Sequence, residues 1–103
     1  MDLKVAVLGG GSWGTTVAHL VSRNTHVTLW ARNPHTVKEI NSSHTNHTYL
    51  PNANLSPKLR ADGDIRKVVR DADVVVMAVP SQHFRSVLNE VADCIRAWVT
   101  SHQ

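Results

Sequence analysis

The stretch Lys4-Val5-Ala6-Val7-Leu8-Gly9-Gly10-Gly11-Ser12-Trp13-Gly14 decides how the rest of the chain is read. From Leu3 to Leu8 the chain is rich in apolar and β-branched residues, which predicts a strand that ends sharply at three glycines. Beyond them Trp13, Val17, Leu20 and Val21 recur at helical spacing, which predicts a helix from about Trp13 to Arg23. The junction fits G-x-G-x-x-G, and each glycine has a task in a strand–turn–helix. Gly9 allows the tight turn, Gly11 lets a pyrophosphate approach the backbone, and Gly14 permits close packing of helix on strand. The free N–H groups and positive dipole end of the helix then hold the diphosphate. A glycine-rich turn without a ligand is the plainer alternative.

Outward from this turn the pattern alternates. Asn24-Thr25 signals a turn, and His26–Trp30 reads as a second strand. Asn33-Pro34 offers an N-cap followed by proline at the first helical position, opening a short helix with Val37 and Ile40 inward. The 17 residues from Asn41 to Pro57 lack periodicity and read as a long polar loop. Leu59–Ala61 is a short third strand. Asp64 caps a helix burying Ile65, Val68 and Val69, and Asp71-Ala72-Asp73 closes it. Val74–Val79 is a continuous apolar run, as in strands buried on both faces. Pro80-Ser81 stops it, with Ser81 a candidate cap for a last helix. There Phe84, Val87, Leu88, Val91, Ile95 and Trp98 share one face that reads as core, and Cys94 packs as a small hydrophobe.

Such βαβαβαβα alternation, with right-handed crossovers, predicts a partial Rossmann-like α/β fold: a doubly wound parallel sheet in strand order 3-2-1-4. The bare outer edge of the fourth strand would then invite self-association.

The chain has 103 residues, of which 42% are hydrophobic and 18% charged, with a net charge of +3. This suffices for one domain and one core. The basicity lacks the clustered stripe of a nucleic-acid binder. No apolar run approaches the ~20 residues of a membrane span. The N-terminus lacks the pattern of a secretory signal, and the single cysteine excludes an internal disulfide framework. A soluble, cytoplasmic protein is expected. Between Asp2 and Glu39 there is no acidic residue, whereas Lys4, Arg23, Arg32 and Lys38 fall there, a distribution suited to an anionic ligand.

The end of the second strand is the next diagnostic position. NAD-selective folds usually carry Asp or Glu there, about 20 residues past the glycines, to accept from the ribose hydroxyl. Here the residues are Trp30-Ala31-Arg32-Asn33. Three readings are open to Arg32: pairing with a 2′-phosphate, lying over the adenine ring, or standing as a solvated arginine at a strand end. NADP, or dual use of NADP and NAD, is therefore expected.

Several further stretches carry a family resemblance. Gly9-x-Gly11-Ser12-Trp13-Gly14, Leu29-Trp30-Ala31-Arg32, Ile40-Asn41 through Tyr49-Leu50-Pro51, and Ala72-Asp73-Val74 through Val79-Pro80-Ser81-Gln82 together resemble the NAD(P)-dependent glycerol-3-phosphate dehydrogenases. The similarity runs from about Lys4 to Trp98. It implies reversible reduction of dihydroxyacetone phosphate to sn-glycerol 3-phosphate, which feeds glycerophospholipid synthesis. It also implies that Ser12, Trp13, Arg32 and Tyr49 occupy cofactor-contact positions. Anchoring the loop on the sheet is the other role open to Tyr49.

The family's next strand brings a Lys-Gly to the nicotinamide and substrate site, and a helical domain adds a second lysine and the substrate-phosphate contacts. Lys4, Lys38, Lys58 and Lys67 match neither position. Residues 1–103 are thus expected to form an incomplete dinucleotide-binding domain without a substrate domain, and without the cation that polarises a ketone during hydride transfer. The small phosphate substrate would bind only the full-length enzyme. The rival readings are a non-catalytic nucleotide-binding module and a fragment of another dehydrogenase with the same glycine loop.

Other constellations are weaker. His44 and His47 lack further ligands nearby for a closed zinc site. Ser81 beside His83 has no third group to form a nucleophile–base pair. His83 either borders the nicotinamide side of the cleft or is a surface histidine. Asn41, Asn46 and Asn54 begin glycosylation patterns that read as accidents of a polar loop.

Overall fold

A computed structural model describes residues 3–101, with side chains described as far as Ile95. The elements are β1 (Lys4–Leu8), α1 (Ser12–Ser22), β2 (His26–Trp30), α2 (Pro34–Ser43), β3 (Arg60–Asp62), α3 (Ile65–Arg70), β4 (Val74–Met77) and α4 (Ser81–Ser101). The four strands form one parallel sheet in the order β3-β2-β1-β4, as expected. The strand order reverses at β1, so β2 and β3 lie on one side of it and β4 on the other. This is the switch point at which ligands of such sheets bind, beyond the carboxyl ends of the strands.

Alternation along the strands builds two cores. Val5 and Val7 of β1 with Val27 and Leu29 of β2 face Ala18 of α1, Ile40 of α2 and, from the loop, Leu55 and Leu59. Ala6, Leu8 and Trp30 face the other way, onto Ile65, Val68 and Val69 of α3 and Val87 and Val91 of α4. The caps of α2 and α3 are where the sequence puts them, whereas Ser81 is already the first residue of α4. The Asn33 side chain accepts from the N–H of His35, with Pro34 opening α2, and Asp64 accepts from the N–H of Lys67.

Four further expectations need correction. Helix α2 continues to Ser43, so the loop begins at His44, whose φ of 56° ends the helix in the left-handed region. Asn often fills such a position and His sometimes does, because a polar side chain eases that conformation. Second, α1 buries Gly14, Thr15, Ala18 and Ser22, leaving Trp13 and Leu20 exposed. Small residues let α1 sit close on the sheet, with Val17 and Val21 packing at the side of the core while Trp13 and Leu20 turn away.

Third, β4 ends at Met77 and is not covered on both faces, with Val74 at 44% exposure. It pairs only with β1 among the described residues, so it is an edge strand. Fourth, the stripe on α4 is not all core. Val87 and Val91 are buried, and Cys94 and Ile95 pack beside them, but Phe84 and Leu88 are exposed. The Trp98 side chain, placed by sequence on that stripe, lies outside the described residues.

Candidate cofactor site

The glycine turn is shaped by close approaches. Gly9 adopts φ +130°, and a Cβ there would lie 2.9 Å from the carbonyl carbon and oxygen of Ala78, where the chain leaves β4. A Cβ on Gly14 would collide with the Gly9 carbonyl oxygen, so α1 starts directly against the turn. Gly10, to which the motif gives no role, is also crowded: a Cβ would come 2.8 Å from that of Ala31. Gly11 is different. It is the N-cap of α1, no side chain caps the helix there, and a Cβ would meet nothing within 4 Å. The space above Gly11, beside uncapped first-turn N–H groups at a positive helix end, suits a diphosphate and is what a side chain would fill.

That space opens into a cavity of about 760 Å³ at the carboxyl ends of β1, β2 and β4. Gly9, Gly11, Ser12, Trp13, Arg32 and Tyr49 line it, together with Asn33, Val79, Pro80, His83 and Ser86. Of the residues singled out by sequence, Gly14 alone is not in the lining; it lies beneath the turn. No lysine is in the lining. His83 is exposed on the first turn of α4 and also lies in the cavity wall. Trp13 is 68% exposed, an indole left in water at the cavity rim.

Arg32 is held by two contacts. Its Nη2 donates to Oε2 of Glu90 at 2.9 Å, and its guanidinium carbon stands 5.0 Å from the centroid of the Trp30 ring. Trp30 is buried, with its Nε1–H donating to the Gly63 carbonyl at 3.1 Å, so it is a fixed platform. Glu90 also has a fixed base. Arg66 of α3 donates to the Glu90 carbonyl at 3.3 Å and to both carboxylate oxygens of Asp93. The Arg66 hydrogen bonds lower the Asp93 carboxyl to about 2. The acid-free stretch seen in the sequence is therefore not acid-free in space. Folding brings a carboxylate of α4 to Arg32 from 58 residues away.

The polar loop is strapped to the glycine turn by a residue that sequence reasoning missed. Asn46 is fully buried, and its Nδ2 donates to the Gly10 carbonyl at 3.0 Å and to Thr15 Oγ1 at 2.9 Å. Thr15 in turn donates to the same carbonyl at 3.2 Å. Burial of Asn46 leaves it no room for a glycan. One turn on, the Ser12 hydroxyl donates to the Tyr49 carbonyl at 3.0 Å. The Tyr49 side chain is half-exposed, so Asn46, Leu55 and Leu59 are the side chains that anchor the loop, and Tyr49 holds it only through its backbone carbonyl. Glu39 supports the loop from α2, accepting from the Thr45 hydroxyl at 2.7 Å and the His47 N–H at 2.8 Å. The His47 N–H, then the Thr45 hydroxyl, hold its carboxyl below the usual glutamate range.

A family described as NAD-dependent glycerol-3-phosphate dehydrogenase N-terminus matches residues 4–101. The chain belongs to this family. A glycerol-3-phosphate dehydrogenase [NAD(P)+] of Sphingopyxis alaskensis is 60% identical over 99 residues, covering 96% of this chain and 30% of that protein. One of Mycobacterium avium is 50% identical over 97 residues, covering 93% and 28%. The crystal structure of a glycerol-3-phosphate dehydrogenase from Coxiella burnetii superposes with a TM-score of 0.78 at 31% identity, covering 86% of this chain and 28% of that one. The chain thus spans less than a third of the length of these dehydrogenases. The glycine turn, the Tyr49 loop and the β4–α4 connection fall within the matched region. No helix among the described residues is long and apolar enough to cross a membrane.

Proposed function

We propose that residues 1–103 are the cofactor-binding unit of an sn-glycerol-3-phosphate:NAD(P)+ oxidoreductase, acting on dihydroxyacetone phosphate in the cytoplasm and supplying glycerophospholipid synthesis. The cavity carries this reading, because it gathers Gly9, Gly11, Ser12, Trp13, Arg32 and Tyr49 at the sheet's switch point. The diphosphate lies over Gly11 and the start of α1, with Gly9 and Gly14 shaping the turn beneath it. Arg32 stands beyond β2, where the adenosine ribose of such folds lies, and it favours NADP. Trp13 and Tyr49 frame the cleft, and His83 borders its nicotinamide side.

When bound, the cofactor supplies or accepts the hydride; the protein's share is to hold and orient it. No lysine lines the cavity wall, and the chain spans less than a third of its relatives' length, which supports placing the lysine that polarises the ketone elsewhere in the enzyme. The groups that bind and polarise the substrate therefore lie outside this unit. The unpaired β4 edge and, separately, the exposed Phe84 and Leu88 of α4 support self-association of the isolated unit.

Calorimetric titration of the 103-residue chain with NADPH and with NADH tests the reading. Saturable binding at one site per chain is expected, without NADPH oxidation when dihydroxyacetone phosphate is added. Failure to bind either dinucleotide would overturn the cofactor role. Turnover by the chain alone would overturn the placement of the polarising group outside it.

A further inference from the structure

We infer that Glu90 tunes the choice between 2′-phosphorylated and unphosphorylated dinucleotides by competing for Arg32. This rests on the cofactor reading above, and it adds a residue that the cavity wall does not contain. Arg32 is the cationic side chain in that wall, and its guanidinium is engaged twice: a face on Trp30 and an Nη2 edge on Glu90. A guanidinium pairs with carboxylate and phosphate through the same planar N–H fork. A 2′-phosphate arriving at Arg32 must therefore displace the Glu90 carboxylate or share the fork with it, close to a like charge. A 2′-hydroxyl carries no charge and meets no such competition.

Glu90 is well placed to act as a standing competitor. Its helix turn is pinned on one side by buried Val87 and Val91, and on the other by Arg66, which reaches the Glu90 carbonyl and Asp93. The carboxylate that many NAD-selective folds carry at the end of the second strand is here supplied by α4, and it faces a cation. Arg32 is 67% exposed and Glu90 39%, so water and salt screen the pair. The expected effect is correspondingly modest, about two- to fivefold in affinity.

The test measures NADPH and NADH dissociation constants for the wild-type chain, Glu90→Gln, Glu90→Ala, Arg32→Ala and the Arg32→Ala/Glu90→Gln pair, at low and high salt. Both Glu90 variants are expected to bind NADPH about two- to fivefold more tightly, with NADH unchanged and the gain shrinking in salt. On the Arg32→Ala background the gain should vanish, because Glu90 acts through Arg32. An unchanged or lowered NADPH preference in both Glu90 variants would overturn the inference and leave the cofactor reading standing. An equal gain without Arg32 would also overturn it, since the carboxylate would then act on the phosphate directly. If the wild-type chain binds neither dinucleotide, the cofactor reading falls and the inference falls with it.

Discussion

At the β3 edge of the sheet the Asn41 side chain behaves as an extra strand: its amide donates to the Ala61 carbonyl at 2.9 Å and accepts from the Ala61 N–H at 2.8 Å. At the β4 edge no side chain among the described residues bonds to the backbone of Val74–Met77, and Val74 and Val75 are exposed. The neighbouring helices differ in the same way. Helix α2 inserts Ile40 fully into the core beside β3, whereas α4, the helix that follows β4 in the chain, leaves Phe84 and Leu88 in water. An edge strand presents unpaired N–H and C=O groups, and proteins commonly blunt such edges. Among the described residues the β3 edge is covered by a side chain and the β4 edge is not.

Truncation of one apolar residue in the helix that precedes β3 and one in the helix that follows β4 gives the largest contrast. Ile40→Ala removes a fully buried side chain and is expected to cost about 2–5 kcal/mol, lowering the melting midpoint by roughly 10 °C or more. Leu88→Ala, at an exposed position, should change stability by less than about 0.5 kcal/mol. Thermal melts of the two variants decide this, and equal losses would erase the distinction between the edges.

A smaller effect opens the closed edge. Asn41→Ala leaves the Ala61 N–H and C=O unpaired and should cost about 1–2 kcal/mol. It should also increase self-association, read by sedimentation against Val75→Lys, which places a charge on the open edge and should reduce it. Unaltered association in both variants would place the contact between copies elsewhere.

The smallest effect is a pH dependence on the closed side. The folded-state pKa of Glu39 is depressed, so its contribution to stability is present above the unfolded glutamate value of about 4.3. It is lost as pH falls through the lower folded value. Glu39→Gln should flatten that part of the acid melting curve and leave stability near pH 7 little more than shifted. A curve of wild-type slope would remove Glu39 as the loop's support.

The sheet and the cofactor turn were legible because local signals agree with the fold. The strand ending at Gly9, the Asn33-Pro34 start and the Asp64 cap are each short-range features, and each stands where the sequence places it. Contacts between residues distant in sequence were not legible. Nothing near Asn46 in a run of polar residues marks it as the strap that reaches the Gly10 carbonyl from 36 residues away. Glu90 reads as an ordinary charged position on the exposed side of α4, and only the packing of α4 over Trp30 brings it to Arg32. The apolar runs at Val74–Val79 and along α4 misled for a related reason. Periodicity shows which residues can share a face, but not whether anything lies against that face.

Gly11→Val tests the central claim most directly, because the space above Gly11 is open in the protein and is where the diphosphate is proposed to lie. With no protein atom within 4 Å of an added Cβ, and with an extended backbone at this N-cap, the variant should melt within a few degrees of wild type when no ligand is present. Saturating NADPH should raise the wild-type melting midpoint, by about 2.7 kcal/mol of stabilisation at a hundred times the dissociation constant, and should leave the variant unmoved. An equal NADPH-induced shift in both proteins would contradict the account.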